Sequence, residues 1–344
     1  MMIKRNNVAY HAKTKQCDNC GRISKASFPK DTKGVSFDST IQTLVSYMKF
    51  DGRFTHPLLY RFFTGFGIRI SYGEITTIMQ RNSDKLAPSL KHLRTTGITL
   101  SRYLQSDATG SKRKHKRTGK IVSGHLHILG NSLLSIFKIT RRYNAQVMNK
   151  LLGSNGRKKP FVSDDGSPNG ECLACKDKQL CWVHEIRHYK KLFPFFNNHQ
   201  KLQKKILGQW RKFYHVAKSY SPDPTVKKRE DIESMFARIT SQKTGYDLLD
   251  KQLRLTRKKE DRLLLFLKYP FLPIQNNQCE QDLREFVIIR KISGETKSTA
   301  GDRSIERHLS VIQTAKKQGL DVFQTLHGLL TGELSPAILT AKSV

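Results

Sequence analysis

The chain has 344 residues, with 62 Lys plus Arg against 28 Asp plus Glu, a formal net charge of +34 and a pI near 10.1. Self-repulsion of that size opposes compaction and is tolerated when the partner is a polyanion, which argues against an ordinary metabolic enzyme and puts nucleic acid first and an anionic membrane surface second. Hydrophobic residues at 37% and aromatics at 9% exclude wholesale disorder, and a single core rarely grows beyond roughly 250–300 residues, so two or more domains are expected.

No apolar run approaches the roughly 20 residues of a membrane helix, and the opening stretch MMIKRNNVAYHAK carries basic residues without the apolar run of a signal peptide. A cytoplasmic protein with no membrane partner is expected. Six cysteines, four of them in two C-x-x-C pairs, suit reduced thiols or metal better than a disulfide framework.

Residues 1–37 form a basic segment around Cys17-Asp-Asn-Cys20-Gly21. C-x-x-C-Gly is half of a zinc ribbon, but only His11 lies nearby, so the segment is a zinc-element remnant or carries ordinary thiols. Residues 38–97 read as helical. Ile41, Leu44, Val45 and Met48 share one helix face, Pro57 sits in the first turn of a second helix, and Ser71 to Glu74 forms a capping box for a third that reaches about Leu93. This is a helix-turn-helix or a plain bundle.

The character then changes to α/β over residues 98–169. Strands are expected over Ile98–Leu104, ending at Asp107, and over Ile121–Leu129 and Leu133–Thr140. A helix follows over Tyr143–Leu152, then a short strand, Pro160–Ser163, running into Asp164-Asp165-Gly166. Residues 170–274 read as wholly helical, with segments Lys190–Phe196, Lys201–Tyr220, Lys228–Arg238, Tyr246–Leu253 and Lys258–Tyr269 broken by prolines. Residues 275–330 hold a helix from Asn276 with Glu280 and another over Ser304–Gln318 stopped by Gly319; 331–344 is a tail.

Three acids stand out by position: Asp107 and Asp164 at strand ends, and Glu280 opening a helix. Grouped carboxylates can hold Mg²⁺, a hard cation that takes oxygen ligands, and two such ions serve phosphodiester transfer, which suits a polyanionic substrate. Cys172, Cys175, Cys181 and His184 offer a structural zinc set; alternatively Trp182, His184 and Arg187 pack or touch DNA. Basic runs lie beside each acid. Lys112, Arg113, Lys114, Lys116 and Arg117 follow Asp107 in a hairpin-like loop, Arg157 to Lys159 precede Asp164, and Arg284, Arg290 and Lys291 follow Glu280. These either meet phosphates or form solvated surface. The two tryptophans, Trp182 and Trp210, either stack on a flipped base or fill a core.

Asn276-Asn277-x-x-Glu280-x-x-x-Arg284 followed by Arg290-Lys291 resembles the C-terminal signature of insertion-sequence transposases of family sixty-six. Val311-Ile-Gln-Thr-Ala-Lys316 with Gly319-Leu320 is similar to the family's next helix. Cys181-Trp182-Val-His184 with Arg187 resembles its C-W-x-H-x-R-R segment, and Asp107-Ala-Thr109 stands where the family has D-E-T. The resemblance covers about residues 38–330. It implies an RNase H-like catalytic core interrupted by a large helical insertion (170–274) and preceded by a helical DNA-binding region. It further implies a DDE triad of Asp107, Asp164 and Glu280 holding Mg²⁺ or Mn²⁺, and 3′-end cleavage and strand transfer of an insertion sequence by a homo-oligomer on DNA. Asp165 competes with Asp164 for the second position. Asp164 is preferred because it stands six positions, inclusive, from Asn169, although the relatives have an aromatic there. Ala108 replaces an acid, and the segment ahead of residue 38 is short. A truncated, inactive or domesticated DNA-binding derivative is therefore the alternative reading.

Overall fold

The computed structural model describes residues 7–28, 36–115, 118–166, 175 and 177–343. The architecture is mixed α/β, with a five-stranded sheet among helices and a separate two-stranded hairpin near the N-terminus. That hairpin pairs β1 (Thr14–Gln16) with β2 (Ile23–Lys25), and every residue of both strands is exposed.

Helices α1 (Ser39–Phe50), α2 (His56–Gly65) and α3 (Tyr72–Lys85) begin where their caps demand. The side chains of Asp38, Thr55 and Ser71 accept the N–H groups of Ile41, Leu58 and Glu74, and Pro57 sits in the first turn of α2. The third helix stops short of Leu93. Pro88 stands in the first turn of a new helix, α4 (Ala87–His92), and a π-helical turn, Leu93–Gly97, leads into the short α5 (Ile98–Leu100). The strand expected over Ile98–Leu104 is thus corrected: its first residues finish a helix, and Ile98 is buried in the core that this helix packs into.

The main sheet comprises β3 (Leu104–Lys114), β4 (Ile121–Gly130), β5 (Ser135–Thr140), β6 (Phe161–Ser163) and β7 (Lys178–Leu180), in the spatial order β5-β4-β3-β6-β7. The pairs β3–β4 and β4–β5 are antiparallel, while β3–β6 and β6–β7 are parallel. Helix α6 (Ala145–Arg157), capped by Asn144, connects β5 to β6.

Two expectations change here. Asp107 lies inside the central strand rather than at its end, because β3 pairs with β4 all the way from Gln105 to Lys114. Lys112, Arg113 and Lys114 are therefore strand residues rather than a loop, while Lys116 and Arg117 lie outside the described residues. The stretch 170–274 also contributes β7 to the sheet, so it is not wholly helical. Three residues are too few to show a period in sequence, and buried Gln179 pairs its amide with Leu263 O and Phe266 N rather than with water.

Helices α7 (Trp182–Lys190), α8 (Asn197–Tyr220), α9 (Val226–Thr240), α10 (Asp247–Arg257) and α11 (Glu260–Leu263) follow. The helix expected over Lys190–Phe196 is a loop after α7, and Lys258–Tyr269 breaks into α11 and a 3₁₀ turn at Leu265–Leu267. These elements close over their own apolar cluster. Trp182, Trp210, Phe213 and Phe236 are fully buried in it, together with Val162 and Leu180 from the sheet. Both tryptophans are thus core residues.

The chain ends with α12 (Asn277–Ser293), α13 (Thr299–Gln318), α14 (Val322–Thr331) and a 3₁₀ segment, Pro336–Ser343. Gly319 terminates α13 with φ 68°, a left-handed conformation that suits glycine. Residues 331–344 do more than trail off, since Leu339 is fully buried. α1 packs on α14, and α3 and α4 pack on α13, so residues 38–97 join the sheet's own core as a bundle. Ion pairs to buried carboxylates pin the C-terminal helices to the sheet: Lys317 to Asp282 at 2.5 Å, with Ser135 on the same carboxylate at 2.6 Å, and Lys138 to Glu306 at 3.0 Å. Among the described residues no helix is long and apolar enough to cross a membrane.

Candidate active site

β3 pairs in parallel with β6, Leu104 opposite Phe161 and Gln105 opposite Val162, and Asp107 and Asp164 each stand two residues beyond the last of these pairs. The two acids are therefore carried by neighbouring strands, whose backbones run about 4.8 Å apart, and the charge of Asp164 reaches Asp107. Glu280 sits in the first turn of α12, which packs across β3 and β4.

Buried polar groups stitch these three segments together. Asn276 is fully buried; its side-chain amide donates to Ser106 O at 2.7 Å, and its backbone N–H donates to Cys181 Sγ at 3.4 Å. Gln105 Nε2 reaches Gln275 O at 3.0 Å. Cys181 N–H bonds Ser163 O, and Trp182 N–H bonds Ile274 O, both at 2.9 Å. The start of α12 is thereby fixed against β3 on one side and the end of β6 on the other.

The carboxyl of Asp107 is pushed up to about 6, first by burial and then by the charges of Asp164 and Glu280, against a lowering hydrogen bond from Ala108 N–H and the charge of Arg187. Its Oδ1 accepts that N–H at 2.7 Å. The Tyr143 phenol is raised to about 12 by burial and by the charges of Asp164 and Asp107. The charges of Asp164 and Glu280 thus both reach Asp107.

Asp165 turns elsewhere. Its carboxylate pairs with Lys259 Nζ at 2.5 Å, and Lys259 also pairs with buried Glu185 at 3.1 Å. Of the adjacent aspartates, Asp164 is therefore the one in the field of Asp107.

Beside Glu280 stand two residues of α7. His184 Nδ1 is 3.8 Å from Glu280 Oε1, and an Arg187 nitrogen is 3.9 Å from Oε2. Arg187 also donates to His184 Nε2 at 2.9 Å. Arginine has only donors, so Nε2 carries the lone pair and the ring proton of the neutral imidazole sits on Nδ1, facing Glu280. Burial and the Arg187 charge hold the His184 pKa below its ordinary value. Both Glu280 Oε1 and His184 Nδ1 are buried without a hydrogen-bond partner, since 3.8 Å is too long for one.

Residues 34–304 match the family described as "Transposase IS66 family". The chain belongs to that family. It is also 36% identical over 166 residues to an uncharacterised protein, y4jO, of Sinorhizobium fredii. That match covers 48% of this chain and 50% of the relative, so the chain spans about half the length of the curated relative it matches.

In this IS66-family chain, the expected zinc set does not assemble from the described residues. Cys181, His184 and Glu280 bring ligand atoms within 4.8 Å of one another, but Cys175 does not join them. Burial raises the Cys175 thiol to about 11, and Cys172 lies outside the described residues, as does Asn169. Arg187 already occupies the His184 lone pair. Cys17 and Cys20 are exposed at the hairpin turn, where backbone N–H groups lower the Cys17 thiol; no third ligand joins them among the described residues.

The basic residues divide by where they point. Lys112, Lys114, Arg284 and Lys291 are exposed. Arg113 pairs instead with Asp302 at 3.0 Å, and Arg290 donates to Gly110 O and lies over the Phe286 ring. Both therefore serve the contact between the sheet and its C-terminal helices. Sequence reasoning missed the placement of Arg187 beside Glu280, although Arg187 and His184 had been singled out. It also left Asn276 without a role, although buried Asn276 sets the start of α12.

Proposed function

We propose that this chain acts as a DNA transposase through a DDE triad of Asp107, Asp164 and Glu280. The observation that carries the reading is that the charges of Asp164 and Glu280 both reach Asp107 and help to raise it. Support for an RNase H-like core comes from the sheet order, with the first acid on the central strand, the second after the sheet's fourth strand in sequence and the third on a late helix. Support for a helical insertion comes from the second apolar cluster, built mostly between Leu180 and Ile274.

The donor chemistry fits a hard divalent cation, and binding one would draw together carboxylates that do not all lie within 4.8 Å of one another. Three carboxylates repel one another, Glu280 Oε1 is buried without a partner, and oxygen donors are what Mg²⁺ or Mn²⁺ take. Asp107, Asp164 and Glu280 would hold the cation, whose charge when bound activates a nucleophile and stabilises a leaving oxygen in phosphodiester transfer. The protein's own part is positional. Asn276 and Cys181 hold the acid-bearing segments in register, His184 and Arg187 set the Glu280 carboxylate, and exposed Lys112, Lys114, Arg284 and Lys291 meet phosphates of the element ends and target. A 3′-hydroxyl freed by hydrolysis at the element end would then attack a target phosphodiester in line, the target strand's own 3′-oxygen leaving with the proton, within a homo-oligomer that pairs two ends.

Asp107→Asn removes one negative ligand while keeping the side chain's shape. Mg²⁺-dependent cleavage of element-end DNA is expected to fall by on the order of 10²–10³-fold or below detection, the scale seen when one group stabilising transition-state charge is removed. Equal cleavage by the wild-type and variant proteins would refute the assignment. Retained end binding with no metal-dependent cleavage by the wild type would favour the binding-only derivative.

A further inference from the structure

With Trp182 and Trp210 in the core, the chain's prominent exposed aromatic surface lies between them in sequence. Phe193, Phe195 and Phe196 are 80%, 93% and 66% exposed in the loop joining α7 to α8. The loop is braced from behind. Gln203 Nε2 donates to Tyr189 O at 2.8 Å and Leu192 O at 2.6 Å, and Gln200 Nε2 reaches Pro194 O at 3.4 Å. The Phe196 ring meets His199 edge-on, and His199 stacks on Tyr246 with centroids 4.3 Å apart. The rings are therefore held out from a fixed backbone, which lowers the entropy lost when something docks on them.

The surroundings select the partner. No Asp or Glu occurs between Glu185 and Asp223, and Lys190, Lys191, Lys201, Lys204 and Lys205 are all exposed. Such a surface repels a second copy of itself. Aromatic rings interleaved with lysines are what unpaired nucleic acid takes, bases stacking on the rings while cations track the backbone. The loop follows the far end of the helix that begins beside Glu280, His184 to Lys190 spanning about 9 Å at 1.5 Å per residue.

We propose that the Phe193–Phe196 loop is a stacking platform for unpaired DNA bases, carried at the end of the helix that flanks Glu280. This rests on the reading of the chain as a DNA enzyme but not on its chemistry, so binding is measured in chelator, where loss of cleavage plays no part. The probes are a fluorescein-labelled oligothymidylate and a duplex of random sequence, titrated with the full chain. The triple variant Phe193→Ala, Phe195→Ala, Phe196→Ala should bind oligothymidylate on the order of tenfold or more weakly and leave duplex binding unchanged. Phe195→Trp should retain binding, and Phe195→Leu should weaken it, by less than the triple variant. Equal losses on both probes, equal binding by the Trp and Leu variants, or an unchanged oligothymidylate affinity would overturn the proposal. So would an altered sedimentation coefficient with single-strand binding intact, which would make the loop a contact between copies.

Discussion

His308 shows what one buried residue imposes on the rest. It is fully buried on α13, stacked on Phe50 with centroids 4.1 Å apart. Its Nδ1 donates to Ser304 O at 2.8 Å, and its Nε2 faces the Ser46 hydroxyl at 3.1 Å. Both nitrogens are used by a neutral ring, and burial lowers its pKa to about 4. The unfolded chain therefore binds a proton between about pH 6.5 and 4 that the folded chain refuses, so stability rises with pH across that window. His308 should contribute about 3 kcal/mol that is fully present above pH 6.5 and lost as pH falls toward 4. Denaturant titrations of wild type and His308→Gln at pH 7 and pH 4.5 test this, and the variant should show the shallower dependence. At the same scale the sequence marked Asp107, Asp164 and Glu280 as residues but not the partition of the Asp164–Asp165 pair. Two adjacent aspartates are chemically identical until Lys259, nearly a hundred positions away, takes one of them.

Between elements, the ends of β6 and α7 are joined to the junction of α10 and α11 by Lys259. Its ammonium bridges Asp165 and Glu185, and the Glu185 carboxylate, with 2% side-chain exposure, also accepts the Thr256 hydroxyl at 2.5 Å and Gln252 Nε2 at 3.2 Å. Lys259→Met would leave Glu185 buried without its counter-charge, a change that costs about 3 kcal/mol or more. It would also free Asp165 to compete with Asp164. Chemical denaturation should report the destabilisation, and Lys259→Arg should restore most of it; full stability in the Met variant would show the bridge to be incidental. Caps and turns made several helices legible: Pro57, Ser71 and Gly319 mark helix ends in sequence and in space. β7 and the loop after Lys190 were not legible, because three-residue strands and apolar Phe-Pro-Phe-Phe runs carry no period that distinguishes one state from another.

For the whole molecule, the charge of +34 is distributed unequally in use. Arg113 and Arg290 are spent on internal contacts, while Lys112 and Lys114 remain exposed on the same strand as Asp107. If 6–10 phosphates are neutralised, DNA affinity should fall about 10³–10⁵-fold between 50 and 200 mM salt. Lys112→Gln with Lys114→Gln should reduce the slope of log K against log salt by about two, one per lost phosphate contact. Arg113→Gln should instead lower stability, with the slope unchanged. Anisotropy titrations at several salt concentrations separate these outcomes; a slope identical in wild type and the double Lys variant would place the DNA path elsewhere.

Local chemistry along the chain determined several helix starts, most of the strands of the main sheet, the acids worth watching and the strongly basic balance, because caps, period and charge act over a few residues or depend on composition alone. Only the tertiary structure decided that Asp165 and not Asp164 pairs with Lys259, that Arg187 and His184 flank Glu280, that Asn276 and Cys181 tie α12 to the sheet, and that the tryptophans are buried while Phe193, Phe195 and Phe196 are exposed. Each of those depends on pairings across tens to well over a hundred residues, where the free energy lies in contacts formed after the chain has folded back on itself.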